Sequence, residues 1–202
     1  MPPLYTPYNW TGLYVGVHGG YARSHSSFDF VAAGTGASQN GNGGFIGGRI
    51  GYNYQLPNNL VLGVEGEANW GSIKGSTACP GAGFTCGHKI NAFGSVVGRV
   101  GYAFDRLLVH VNGGVAFADA RYQATNTATG ALFGTGYKSG FVGWTLGAGV
   151  EYAITSNLIA SVDYKYYDFR SKTSGLAAVS GISAGRFHPT MHTVRAGLTY
   201  KF

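Results

Sequence analysis

Eight segments of this chain alternate apolar and polar residues with a period of two, and that pattern leaves few folds open. The clearest segment is the last. Val194, Ala196, Leu198, Tyr200 and Phe202 are apolar, while Thr193, Arg195, Gly197, Thr199 and Lys201 are polar or small. A period of two puts each set on its own face of a β-strand. An amphipathic strand ending on an aromatic residue is a poor edge for a soluble domain, because an open apolar edge recruits other strands. In a closed membrane barrel the last strand pairs with the first and no edge remains. On this reading Tyr200 and Phe202 form a carboxyl-terminal assembly signal.

The eight segments are Gly12–Ser24, Gly44–Gln55, Leu60–Lys74, Lys89–Phe104, Leu107–Gln123, Ser139–Ala153, Leu158–Arg170 and Met191–Phe202. Short connections alternate with long ones. Pro57-Asn58-Asn59, Asp105-Arg106 and Thr155-Ser156-Asn157 are built from turn-forming residues. The connections near 25–43, 75–88, 124–138 and 171–190 are long and rich in Gly, Ser, Thr and Ala. Short turns on one side and long loops on the other are the asymmetry of an outer-membrane barrel, and an even strand number returns both termini to the periplasmic side. The expectation is therefore an all-β, eight-stranded, antiparallel up-and-down transmembrane β-barrel. Residues 1–9 would be a periplasmic extension, and residues 10–202 the barrel with four long outer loops. No run of about 18 apolar residues is present for a membrane-spanning helix. The start, Met1-Pro-Pro-Leu-Tyr-Thr-Pro, reads as an extended leader, so any secretory signal is expected to be already removed.

One face of the segments carries Val, Leu, Ile and aromatic residues. Its aromatics fall into two groups, separated by about the span of a tilted membrane strand. Tyr52, Tyr54, Tyr102, Phe104, Tyr152, Tyr200 and Phe202 lie near the tight turns; Tyr21, Trp70, Phe117, Trp144, Tyr164 and Tyr166 lie toward the loops. Two such groups are the girdles of a bilayer-spanning barrel. The other face carries polar residues interleaved with Gly16, Gly51, Gly63, Gly101, Gly114, Gly147, Gly149 and Gly197. The chain has 35 glycines and only 11% charged residues. An eight-stranded barrel is barely wide enough for side chains, so small residues must make room for long ones. A soluble barrel with the apolar face inward would crowd more than a dozen rings into that bore and leave the glycines outside, where they do nothing.

Asn9-Trp-Thr-Gly-Leu-Tyr-Val-Gly-Val-His-Gly-Gly-Tyr21 resembles the first strand of the small outer-membrane β-barrel proteins of alphaproteobacteria, the opacity-like, surface-antigen or porin-like group. Gly47-Gly-Arg-Ile-Gly-Tyr-Asn-Tyr54, Gly98-Arg-Val-Gly-Tyr102, Gly147-Ala-Gly-Val-Glu-Tyr152 and Thr193–Phe202 are similar to its other strands. The resemblance covers nearly everything after residue 9 and implies the fold and the Gram-negative outer membrane. It implies no common catalytic motif, since members are described as structural proteins, adhesins, haem binders and small porins.

The inward face groups four acids, Glu65, Glu67, Glu151 and Asp163, with four bases, Arg49, Arg99, Lys165 and Arg195. Paired and hydrogen-bonded charges are tolerated in such a place, whereas isolated ones are costly. The set reads as a salt-bridged filling that closes the lumen; the alternative is the charged eyelet of a small diffusion porin. Glu65 and Glu67 share a face as an acid–base pair would, but the four bases neutralise them and no nucleophile is placed by a motif, so an enzyme is not expected. His18 and His110 point inward. His25, His88, His188 and His192 have no metal-ligand spacing, so no metal or other cofactor is expected, and haem binding stays an alternative.

The remaining bases gather at the loop end: Arg23, Lys74, Lys89, Arg121, Lys138, Arg170, Lys172 and Arg186, against Asp29, Asp119 and Asp168. They read as a rim that binds lipopolysaccharide phosphates. They ring a barrel rather than line a groove, which argues against nucleic acid. The expected partners are outer-membrane lipids and lipopolysaccharide, with a surface protein or host partner reached through the loops, and the outward face allows a monomer or a homo-oligomer. Cys79 and Cys86 flank Pro-Gly-Ala-Gly-Phe-Thr on the outer side. Gly81 and Gly83 let that stretch fold back, so a disulfide is expected there.

Overall fold

The computed structural model describes residues 7–30, 35–78, 84–126, 132–170, 172–173 and 185–202. Its strands are β1 (Gly12–Phe30), β2 (Thr35–Gln55), β3 (Leu60–Ala78), β4 (Phe84–Phe104), β5 (Leu107–Asn126), β6 (Leu132–Ala153), β7 (Leu158–Phe169), the two-residue β8 (Lys172–Thr173) and β9 (Gly185–Lys201). Each pairs antiparallel with its neighbour from β1 to β7; β7 pairs with β9, and β9 pairs with β1. The result is a closed eight-stranded antiparallel barrel, with β8 appended to the far end of β9. Closure runs to the last residue, where the Phe202 amide donates to the Leu13 carbonyl at 2.9 Å.

The tight turns form where the sequence supplies residues that tolerate left-handed backbone. Asn59 has φ 65° and Asp105 φ 54°, a region that Asn and Asp visit more readily than other side chains. In the third turn, the Thr155 hydroxyl accepts the Leu158 amide at 2.9 Å.

Most strands run past their expected ends, whereas β7 stops at Phe169. β1 reaches Phe30 and β2 begins at Thr35; β3 reaches Ala78 and β4 begins at Phe84. Much of what reads as long loop is therefore hairpin. Beyond the bilayer both faces of a hairpin meet water, so the apolar–polar period disappears while the backbone groups still satisfy one another across the ladder. Pairing is irregular at Trp70/Ile73, Ile90/Ala92 and Tyr122/Ala124, where bulges sit near the barrel rim.

The two faces separate as the alternation requires. Leu13, Val15, Val17, Ile50, Val64, Val96, Val111, Leu146, Val162, Val194 and Leu198 are exposed on the outside. So are the aromatics of both groups, apart from the partly covered Tyr166. Outer rings touch along and between strands: Tyr102–Phe104 at 4.9 Å, Tyr200–Phe202 at 5.1 Å and Trp144–Tyr166 at 5.5 Å. Exposed apolar surface of this extent and height fits hydrocarbon, not water.

Candidate functional site in the barrel interior

The long inward side chains are placed opposite glycines. Glu65 faces Gly51 across the ladder, Arg99 faces Gly63, Lys165 faces Gly147, Asp163 faces Gly149 and Arg195 faces Gly20. His110 lies between Gly101 and Gly149. Directly opposite residues of an antiparallel pair share a face at close range, so each glycine vacates the volume that a long neighbour fills. A Cβ on Gly147 would stand 2.6 Å from the Lys165 side chain and 2.7 Å from the Tyr164 carbonyl oxygen.

All four acids and all four bases are buried, and they form one connected set. Glu65 is its hub. Its carboxylate lies 3.8 Å from Arg49, 3.4 Å from Arg99, 3.6 Å from Lys165 and 3.5 Å from Arg195. Glu67 pairs with Lys165 at 3.0 Å and with Arg195. Glu151 lies 2.9 Å from Arg99 and 3.5 Å from Arg49. Asp163 lies 3.4 Å from Arg49, 3.5 Å from Arg195 and 3.2 Å from His110 Nε2. Four negative charges thus meet four positive ones.

Hydroxyls complete the set. Arg49 donates from Nη2 to Ser161 at 2.8 Å and to Thr199 at 2.6 Å. The Tyr14 hydroxyl donates to Glu65 at 3.0 Å and accepts from Arg99 at 2.8 Å. Tyr167 and Ser95 both donate to Glu67 Oε1, at 2.7 and 2.8 Å. The arrangement holds every carboxylate beside a base.

Two apolar layers flank the charges, and sequence reading missed both. Toward the hairpins lie Ala22, Phe45, Ile73, Ile90, Phe93, Ala116, Ala118, Phe141, Tyr167, Phe169 and Met191, all buried. Their rings meet edge to face, with Phe45–Phe93 at 5.1 Å and Phe93–Tyr167 at 5.6 Å. Toward the tight turns lie Trp10, Val61, Ala103, Leu108, Ala153 and Ile159, with Tyr8 against them. Parity could have found most of these, because Phe45 shares its face with Arg49, and Phe93 with Arg99. Trp10 carried no such clue.

Trp10 precedes β1 and is fully buried. Its amide donates to Gln55 Oε1 at 2.8 Å and its indole Nε1 to the Asp105 carbonyl at 2.9 Å. The Tyr8 amide donates to the Asp105 carboxylate at 2.8 Å, and the Tyr8 hydroxyl to the Ser156 carbonyl at 3.1 Å. Lys201 lies 4.5 Å above the Tyr8 ring and donates to the Asn9 carbonyl. Residues 8–10 are thereby tied to the Asp105 and Ser156 turns, to Gln55 at the end of β2 and to the end of β9.

Of the rim bases, Arg23, Lys74 and Arg170 are exposed. Lys89, Arg121, Lys138, Lys172 and Arg186 are placed by backbone register on β4, β5, β6, β8 and β9. Cys86 sits on β4 opposite Thr77; Cys79 lies outside the described residues, as does the pairing of the two. Among the described residues, no group of three or more His, Cys, Asp or Glu side chains is disposed to hold a metal ion.

A closed antiparallel barrel, apolar and girdled outside and charged within, defines an integral β-barrel protein of the Gram-negative outer membrane. The chain belongs to the outer membrane protein beta-barrel domain family, whose model matches residues 5–202. It is 36% identical over 206 residues to the 31 kDa outer-membrane immunogenic protein of Brucella melitensis, covering 96% of this chain and 85% of the relative. It is 30% identical over 196 residues to the 22 kDa outer membrane protein of Rhizobium leguminosarum, covering 96% of this chain and 79% of the relative. Among solved structures, the outer membrane protein OprG from Pseudomonas aeruginosa shares the fold, with a TM-score of 0.55 at 11% identity, over 96% of this chain and 98% of that one.

Proposed function

We propose that this protein is a non-enzymatic structural and surface-interaction barrel whose lumen is closed by its own side chains and whose hairpins are displayed outside the cell. In this reading the tight turns and both termini face the periplasm. The observation that carries it is the stacking of the interior: a neutral set of four acids and four bases between two apolar layers. A conducting pore needs a continuous wet path, and eight strands leave little bore once long side chains fill it. The names of the Brucella relatives, outer-membrane immunogenic proteins, fit a protein displayed at the surface.

Single-channel recording in planar bilayers tests the reading. Purified protein should insert without steady openings. Steady openings in most insertions would overturn it in favour of a small diffusion porin.

A further inference from the structure

The apolar layer toward the tight turns is unevenly supplied. Val61, Ala103, Leu108, Ala153 and Ile159 stand on β3, β4, β5, β6 and β7 in turn. Among the described residues, β1, β2 and β9 contribute no side chain to it. That side of the layer is filled by Trp10, the bulkiest of the fully buried side chains. Trp10 precedes the first strand.

The other five members are fixed by the ladder, and Trp10 is not. Among the described residues, no backbone–backbone bond joins Tyr8–Thr11 to a strand. Side chains hold the segment instead. Asp105 accepts the Tyr8 amide on its carboxylate and the Trp10 indole on its carbonyl. Gln55 accepts the Trp10 amide on Oε1, and its own amide donates to the Thr11 hydroxyl at 3.0 Å. Tyr8 donates to the Ser156 carbonyl, and Lys201 to the Asn9 carbonyl. A segment held in this way opens locally at less cost than global unfolding, because no ladder has to break.

The residue after the segment is a pivot. Gly12 has φ 148°, backbone that glycine adopts readily and other residues rarely do. A Cβ there would stand 2.8 Å from the Phe202 carbonyl oxygen. One residue on, the Leu13 carbonyl accepts the Phe202 amide and the closed ladder begins. The chain therefore turns at a glycine immediately before it becomes fixed.

We propose that Tyr8–Thr11 is a hinged stopper, pivoting at Gly12, that seals and intermittently opens the turn-end mouth of the barrel. With Trp10 swung out, small polar solutes reach the near edge of the charged set. Ser161 lies there, two positions beyond Ile159 and directly opposite Glu151. The layer of Phe45, Phe93 and Phe141 stays in place, so the barrel opens as a vestibule and not as a channel. In the orientation proposed above, the vestibule opens to the periplasm. An open stopper gives no conductance, so the planar-bilayer result and this one fail separately.

The test measures thiol access in the full chain, folded in micelles, with Cys79→Ser and Cys86→Ser as background. Two reporters are compared. Ser161→Cys lies beside the stopper. Asn69→Cys lies on the far side of the charges, opposite Phe93. Both positions are buried. The probe is the methanethiosulfonate of ethyltrimethylammonium. Asp105→Gly combined with Gln55→Ala releases the stopper and leaves Trp10 in place; glycine keeps the positive φ of that turn. The Ser161→Cys reporter should then react about tenfold faster or more, the scale of a lost hydrogen bond to a charged group. Trp10→Ala should accelerate it at least as much. The Asn69→Cys reporter should stay slow in every variant. Heat-modifiable mobility verifies folding; should Trp10→Ala not fold, the release variant decides alone. Unchanged Ser161→Cys reactivity in the release variant would overturn the proposal and mark Trp10 as fixed packing. Equal acceleration of both reporters would overturn it in favour of general loosening.

Discussion

At the scale of single residues, the interior is organised by charge balance and by the glycines that make room for it. Buried pairs of this kind add little net stability, because desolvation offsets their attraction; removing one partner is what costs. Arg99 is the nearest base to Glu151 and also holds Tyr14 and Glu65. Arg99→Leu should therefore lower unfolding stability by about 3–5 kcal/mol, and Arg99→Leu combined with Glu151→Leu should cost less than the single change. Urea midpoints in lipid vesicles check this; a double variant weaker than either single one would mean that the charges are not coupled. Gly147 tests the space argument. A Cβ there meets Lys165, Tyr164 and Asn112 within 2.9 Å, while a Cβ on the outward Gly98 meets nothing within 4 Å. Gly147→Ala should cost about 1–3 kcal/mol by overpacking, and Gly98→Ala about 0.5 kcal/mol or less, on the same unfolding measurement.

At the scale of elements, residues 8–10 pack against the turn end of the barrel. Trp10 closes the turn end with Leu108 and Ile159, and residues 8–10 bond to two turns and to Gln55 at the end of β2. Trp10→Ala should lower stability by about 3–5 kcal/mol, the usual cost of emptying a buried aromatic site. The position can be read directly, since the chain has three tryptophans and Trp70 and Trp144 are exposed to lipid. In brominated lipid, a variant retaining only Trp10 should keep its fluorescence, and variants retaining only Trp70 or only Trp144 should be quenched. Quenching of Trp10 would place it outside the lumen. The β3–β4 hairpin carries the cysteine expectation. Cys86 lies opposite Thr77, and Cys79 follows Thr77 by two positions. A disulfide there would close a short ring and contribute about 2–3 kcal/mol at most, confined to the hairpin. Mass spectrometry after alkylation without reductant, on protein taken from native membranes, should find neither cysteine alkylated.

At the scale of the whole molecule, closure is the property that distinguishes this barrel from an open sheet. β9 pairs with β1 on one side and β7 on the other, so through the membrane-spanning part the described strands leave no edge to fray or recruit another chain. Unfolding then requires the ladder to open around a full circle, in a bilayer where no water satisfies the freed backbone. The folded protein should accordingly migrate differently on electrophoresis before and after boiling in detergent, and its circular dichroism should be that of β-structure. A helical spectrum would end this account of the fold.

The alternation by itself determined the strand count, the antiparallel order, the lipid-facing set and the charged inward set, because a period of two assigns faces locally and needs no knowledge of distant partners. Arg49, Glu65 and Lys165 could be placed on one face from their own neighbours. What only the tertiary structure decided is which of them meet. Glu65 reaches Lys165 and Arg195 across the bore, and that depends on the stagger and diameter of the closed ring, which no segment carries alone. The same holds for the aromatic layer of Phe45, Phe93 and Phe141, whose parity was visible but whose convergence was not. Trp10 lies outside any alternating segment, so its burial follows from where the end of β2 and the Asp105 turn come together. The hairpins outran their sequence pattern for the complementary reason: a backbone ladder persists wherever its own hydrogen bonds are satisfied, and the side-chain period marks only the part of it that stands in lipid.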